Sequence, residues 1–102
     1  VGRRAEAVAP IEEAVGIYRR LAVAAPDAYL PDLARSLHNL ALVQAETDAR
    51  DDAWLPVTQS IATYGELTTP EPDIFLLDLR DALALAIDLA QKSEQDTMLQ
   101  DL

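Results

Sequence analysis

Few side chains in this sequence could do chemistry. His38 is the single histidine, and Ser36 stands two residues before it. On a helix, positions i and i+2 point to different faces, so this serine cannot pass a proton to this imidazole. The chain has no cysteine, which removes thiolate nucleophiles, thiolate metal sites and disulfides together. Glu12-Glu13 and Asp51-Asp52 are paired in sequence only, and both pairs read as ordinary helix-surface or helix-start acids. Neither a His-Glu-x-x-His nor a Glu-x-x-His motif occurs, so no zinc or di-iron donor set is assembled. Gly2, Gly16 and Gly65 are isolated, which leaves no glycine loop to cradle a phosphate. No metal, no cofactor and no enzymatic activity are therefore expected.

Composition narrows the remaining choices. The 102 residues suffice for one domain with its own core. No apolar stretch approaches the roughly 20 residues of a membrane span, and a cysteine-free chain agrees with a cytoplasmic location. The opening Val1-Gly2-Arg3-Arg4 has no signal-peptide apolar region and no initiator methionine, which points to a segment of a longer chain. Basic residues are seven Arg and one Lys, and alanine is abundant, a bias common in proteins from GC-rich genomes. The net charge of -10 argues against nucleic acid as a partner, because phosphate binding relies on clustered Lys and Arg. The charge is uneven: residues 1–47 hold five Arg against six acids, and residues 48–102 three basic residues against twelve acids. A solvated surface explains this, and so does an acidic face that steers a basic partner.

The elements that must position any binding residue come from an internal repeat. Shifted by 46 residues, 2–45 lies on 48–91 without a gap. Identities then include Ala7/Ala53, Pro10/Pro56, Tyr18/Tyr64, Leu21/Leu67, Pro26/Pro72, Asp27/Asp73, Leu30/Leu76, Asp32/Asp78, Leu33/Leu79 and Leu37/Leu83. Bulk is kept at Ile11/Val57, Val15/Ile61, Tyr29/Phe75 and Val43/Leu89. Val8, Ile11, Val15, Tyr18 and Leu21 have helical spacing, as do Leu33, Leu37, Leu40 and Val43. The spacing predicts four helices, about 4–24, 27–47, 51–68 and 73–91, and no strand. Asp27 and Asp73 are expected as N-caps, with breaks at Gly2 and at Asp48-Ala49-Arg50-Asp51. Residues 92–102 form a polar acidic tail in which Met98, Leu99 and Leu102 allow a frayed helical extension. Pro31 is expected in the first turn of its helix, whereas Pro10 and Pro56 lie further in and predict a bend near Ala9 and Leu55 or a later helix start.

Residues 33–72 resemble a tetratricopeptide repeat. Leu37-x2-Leu40-Ala41-x2-Gln44 followed by Ala53-x3-Val57 matches that family's large–x2–Leu–small–x2–aromatic and Ala-x3-Phe pattern. Ala7-x3-Ile11 supplies half of a preceding repeat, and Leu83-x2-Ala86-Ile87-x2-Ala90 half of a following one. With Asn39-Leu40-Ala41 and the Pro-Asp openings, the chain is most similar to the long repeats of kinesin-light-chain type and their extended bacterial versions. Gln44 in place of the aromatic, Asp48 in place of a helix-ending glycine and Leu85 in place of the asparagine depart from that pattern.

The resemblance implies antiparallel helix pairs stacked as a right-handed superhelix, with the first helix of each pair lining a concave binding face. In that register Arg35, His38, Asn39, Leu42 and Glu46 face the groove, joined from the next unit by Asp81 and Asp88. Arg35 could clamp a carboxylate, and Asn39 could bridge to a peptide backbone. Asn39 could equally serve a structural role, and His38 could be a plain surface or edge residue. Tyr18, Trp54 and Tyr64 are expected in packing, with an exposed edge of Trp54 as an alternative anchor. The function so implied is a protein-interaction scaffold, a repeat segment of a larger protein that binds a peptide or protein. The alternatives are homo-oligomerisation through the end helices, 4–24 and 73–91, and a small all-α ligand binder with a pocket lined by Tyr18, Tyr64 and Trp54.

Overall fold

The computed structural model describes residues 3–47 and 50–100, the side chains of residues 3 and 4 excepted. Gly2, Asp48, Ala49 and Leu102, to which breaks and a helical extension are assigned above, lie outside the described residues. Among the described residues all regular structure is helical: α1 (Arg3–Ala24), α2 (Pro26–Ala45), a short 3-10 turn (Arg50–Ala53), α3 (Trp54–Thr68) and α4 (Pro72–Gln100).

The helix starts differ from the capping expectation in an instructive way. Asp27 is not the N-cap of α2; that position belongs to Ala25, which makes no side-chain cap bond, and Pro26 opens the helix. The Ala25 carbonyl accepts the first amides, from Ala28 at 3.2 Å and Tyr29 at 3.1 Å. Its repeat equivalent Glu71 does the same for Ile74 at 3.2 Å and Phe75 at 3.3 Å. Proline at the first helical position already has the right φ and wastes no donor, and Asp27 and Asp73 then fall in the first turn, where carboxylates favour the helix dipole. Starting at Pro26 carries Pro31 into the second turn rather than the first.

The interior prolines resolve in two different ways. Pro56 is the third residue of α3, preceded by the 3-10 turn, so its missing amide has no intrahelical partner to lose and no long helix bends at Leu55. Pro10 lies well inside α1, which stays helical on both sides of it. Glu6, whose carbonyl the proline leaves unpaired, is exposed, as is Pro10, so water can satisfy that carbonyl.

Each helix packs mainly on its chain neighbours, antiparallel to them: α1 on α2, α2 on α3, α3 on α4. α1 and α4 share no packed interface, and α2 meets α4 only lightly, so the helices do not close into a ring. The result measures 50 × 28 × 18 Å, its length set by the 29-residue α4. Val15, Ala22, Leu33, Leu37 and Leu40 join α1 to α2. Ala41, Ala45, Ala53, Val57 and Leu89 join α2 to α3 and α4, with Trp54 and Leu85 packed alongside. Ala34, Tyr64 and Ala82 form a third cluster. Small residues let α2 and α3 approach closely, and the buried Ser60 Oγ donates to the Ala34 carbonyl at 3.1 Å. The buried Gln44 leaves its Oε1 without a hydrogen bond, a cost that an apolar residue would not carry.

Two stability outcomes follow from these contacts. Leu37→Ala, at a site 2% exposed, is expected to cost about 2–5 kcal/mol. The repeat-equivalent Leu83→Ala, at 43% exposed, is expected to cost about 1 kcal/mol or less. Equal midpoint shifts in urea denaturation would contradict this packing. Gln44→Met keeps the volume and removes the unpaired amide oxygen, and thermal unfolding should register a gain of about 1 kcal/mol.

Candidate functional site

α2 is buried on two flanks and open on the third. Leu33, Leu37 and Leu40 face α1, while Ala34, Ala41 and Ala45 face α3. The residues at i+3, i+4, i+7 and i+11 from Arg35 are His38, Asn39, Leu42 and Glu46, which form a single stripe with it on the remaining surface. Arg35, Asn39, Leu42 and Glu46 are exposed, and His38 is half-buried. Arg35 Nη1 donates to Asp32 Oδ1 on its own helix at 3.4 Å, an exposed pair that contributes little to stability.

Across from this stripe stands α4. Asp81, expected at the groove's far end, is close enough to His38 to act on it electrostatically, and so is Asp78, one turn earlier. The same two carboxylates and Arg35 also act on the phenol of Tyr64, which is 4% exposed. Arg35, His38, Asp78 and Asp81 thus share one locality above the buried Tyr64. Asp88 lies two turns further along α4, where its Oδ2 accepts from Lys92 Nζ at 3.1 Å. Asp81 Oδ1 accepts from Arg80 Nη2 at 3.4 Å. Asp78 was not singled out from sequence, although its identity with Asp32 in the repeat and its one-turn spacing from Asp81 were both legible.

Burial dominates the chemistry of His38. Desolvation pushes its imidazole below the ordinary histidine value, opposed by the charges of Asp81 and Asp78. Its Nδ1 is buried and has no hydrogen-bond partner, which suits a neutral ring that keeps its proton on Nε2. Burial likewise pushes the Tyr64 phenol up, with Asp78 acting in the same direction. His38 is thus held in its neutral form and Tyr64 in its protonated form, and the locality offers hydrogen bonding, one guanidinium and two carboxylates.

The aromatic side chains do not line a common pocket. Tyr18 packs in the α1–α2 cluster, Trp54 against the Leu89 cluster and Tyr64 with Ala34 and Ala82. A shallow cavity of about 260 Å³ lies instead among Thr47, Arg50, Asp51 and Asp96. Its arginine is already engaged, since Arg50 Nη1 donates to Asp96 Oδ2 at 2.9 Å and ties the 3-10 turn to the end of α4. Among the described residues no three His, Asp or Glu side chains converge as they would around a metal ion, and no helix is long and apolar enough to cross a membrane.

Comparison with known protein families, with curated proteins and with solved structures gives no match.

Because His38 is the single histidine, its imidazole can be followed alone by NMR. Its titration midpoint is expected below 6.5, and Asp81→Asn should lower it further by removing a charge that favours the imidazolium. The sign for stability follows. With the folded-state value depressed, the contribution of His38 is complete above about pH 6.5 and is lost as pH falls through the folded-state value. A midpoint unmoved by Asp81→Asn would separate the two residues.

Proposed function

We propose that this chain is a segment of a tetratricopeptide-type repeat array, an interaction scaffold that binds an extended peptide or a partner protein along the α2–α4 face. The observation that carries the proposal is the open stripe on α2, Arg35, Asn39 and Leu42, beside the His38, Asp78 and Asp81 locality. Sequential antiparallel helices related by a 46-residue repeat support an array of this type, in which the pairs continue as a right-handed superhelix. Such a surface offers what peptide recognition needs. Asn39 can pair with a backbone amide and carbonyl, Arg35 can hold a carboxylate one turn before it, and Leu42 supplies exposed apolar area one turn after it. Beside Arg35, Asp78 and Asp81 favour a basic side chain on the ligand. The scaffold acts by binding and not by catalysis, takes no cofactor, and works in the cytoplasm on protein rather than on nucleic acid or a membrane.

The test is a pull-down from native lysate with the wild-type chain, with an Arg35→Ala, Asn39→Ala, Leu42→Ala variant, and with Glu12→Ala on the α1 surface as control, folding being checked by circular dichroism. A protein captured by the wild type and by the control, but lost with the triple variant, is the expected result. Capture that survives the triple substitution would put the binding surface elsewhere.

A further inference from the structure

The α2–α4 face is a groove with unlike walls. α2 and α4 both run antiparallel to α3, so they run parallel to each other, and they touch only lightly. Asp78 and Asp81 act electrostatically on His38, which fixes the level at which the two helices stand side by side. Both helices rise about 1.5 Å per residue, so the exposed Glu46, two turns beyond His38, comes level with the exposed Asp88. Leu42 falls between those two levels, and the half-buried Leu85 falls between Asp81 and Asp88 on one stripe of α4. The groove thus holds carboxylates at two places, Asp78 with Asp81 and Asp88 with Glu46, and an apolar step, Leu42 with Leu85, separates them. Lys92 on Asp88 at 3.1 Å and Arg80 on Asp81 at 3.4 Å are exposed contacts that a ligand displaces at little cost.

Resting on the scaffold reading above, we propose that the ligand of this groove is an extended peptide with two basic side chains three residues apart and an apolar residue between them. The spacing sets the register. Asp81 and Asp88 lie two turns apart on α4, a separation of about 10.5 Å along the helix. In a polyproline II segment, residues i and i+3 point the same way and stand about 9.3 Å apart. A β-strand offers same-face side chains only at about 6.6 or 13 Å. One basic side chain then meets Asp78 and Asp81, the other meets Asp88 and Glu46, and the apolar residue rests on Leu42 and Leu85. Asn39, exposed and level with the first of these places, pairs with the peptide backbone, which a polyproline II segment leaves without internal hydrogen bonds. A ligand helix is about 10–12 Å across, too wide to enter a seam whose two walls touch. Arg35, one turn before Asn39, closes the basic register by repelling a third cation at that end.

Fluorescence anisotropy at low ionic strength, with the whole 102-residue chain and short labelled peptides, tests this ligand class. The probes carry a Lys-Pro-Leu-Lys core, the isomeric Lys-Lys-Pro-Leu core, a Glu-Pro-Leu-Glu core, or a helix-forming sequence with the two lysines two turns apart. The first is expected to bind most tightly, and the acidic core not at all. Asp81→Asn and Asp88→Asn, both at exposed helical sites, should each weaken the first peptide by about two- to fivefold. Glu12→Gln on α1 should leave it unchanged. With one peptide lysine replaced by alanine, one of the two aspartate substitutions should lose its effect and the other keep it. No binding of the Lys-Pro-Leu-Lys peptide, equal binding of its isomer, of the acidic core or of the helical probe, or indifference to Asp88→Asn would overturn the proposal. If the Arg35, Asn39, Leu42 triple variant loses its lysate partner while these peptides show no preference, the groove stands and the dibasic ligand falls.

Discussion

The close approach of α2 and α3 is the constraint on which the rest of the structure depends. Ala34 and Ala41 on α2, Val57 and Ser60 on α3 and Ala53 in the turn that leads into it are all 0% exposed. Side chains this small bring the two axes together and leave no gap that a larger neighbour could fill. That proximity makes the Ser60–Ala34 hydrogen bond possible, because the hydroxyl must reach a carbonyl within a helix on the adjacent backbone. It also sets where α1 and α4 can lie. α1 takes the larger leucine flank of α2, and α4 takes the flank of α3 that carries Ile61 and Leu67. A larger residue at Ala34 or Ala41 would therefore disturb the course of the whole chain, in addition to overpacking one contact.

From this contact the candidate binding surface follows geometrically. Two flanks of α2 are spent on packing, so the third is fixed by elimination, and Arg35, Asn39 and Leu42 occupy it. The light contact between α2 and α4 then determines the electrostatics. It is close enough for Asp78 and Asp81 to act on His38, yet open enough that both carboxylates stay exposed. His38 sits at the seam. Its burial outweighs the two carboxylates, which explains why a histidine beside two acids is nonetheless pushed toward the neutral form.

Much of this arrangement was legible in the sequence, and the rest failed for identifiable reasons. Helix number and order came from the 46-residue repeat and the apolar spacing, because periodicity reports directly which face is buried. The start of α2 was misplaced by one residue because Asp27 and Pro26 compete as start signals, and the proline at the first helical position won. Pro56 looked like an interior proline only because the 3-10 turn before it has no sequence mark distinct from a helix. α4 runs to Gln100 because no Gly or Pro follows Pro72, and Lys92–Asp88 and Arg50–Asp96 add support along its last turns. Asp78 escaped notice as a neighbour of His38, since contact between helices depends on how far one slides against the other. Spacing along a single helix says nothing about that.

The contrast between Leu37 and Leu83 shows why repeat position and burial must be kept apart. Both leucines hold the same place in the 46-residue unit, and both satisfy the apolar pattern of a core residue. One is buried in the seam between α1 and α2, whereas α4 turns Ala82 and Leu89 into its packing and leaves Leu83 at the edge of that contact. Sequence pattern therefore specifies which face a helix is prepared to bury, while the rotation of the helix against its neighbour decides which of those residues are covered. In a linear arrangement the last helix also has a single strong neighbour, so side chains such as Ile87 stay open there. The apolar area left open there opposes solubility, and the net charge of -10 favours it. Twelve of the eighteen acids lie in residues 48–102, the half of the sequence that also carries the exposed Ile74, Leu76, Leu77 and Ile87. Acidic residues interleaved with an open apolar face discourage indiscriminate contact while still allowing a partner that answers both the shape and the charge.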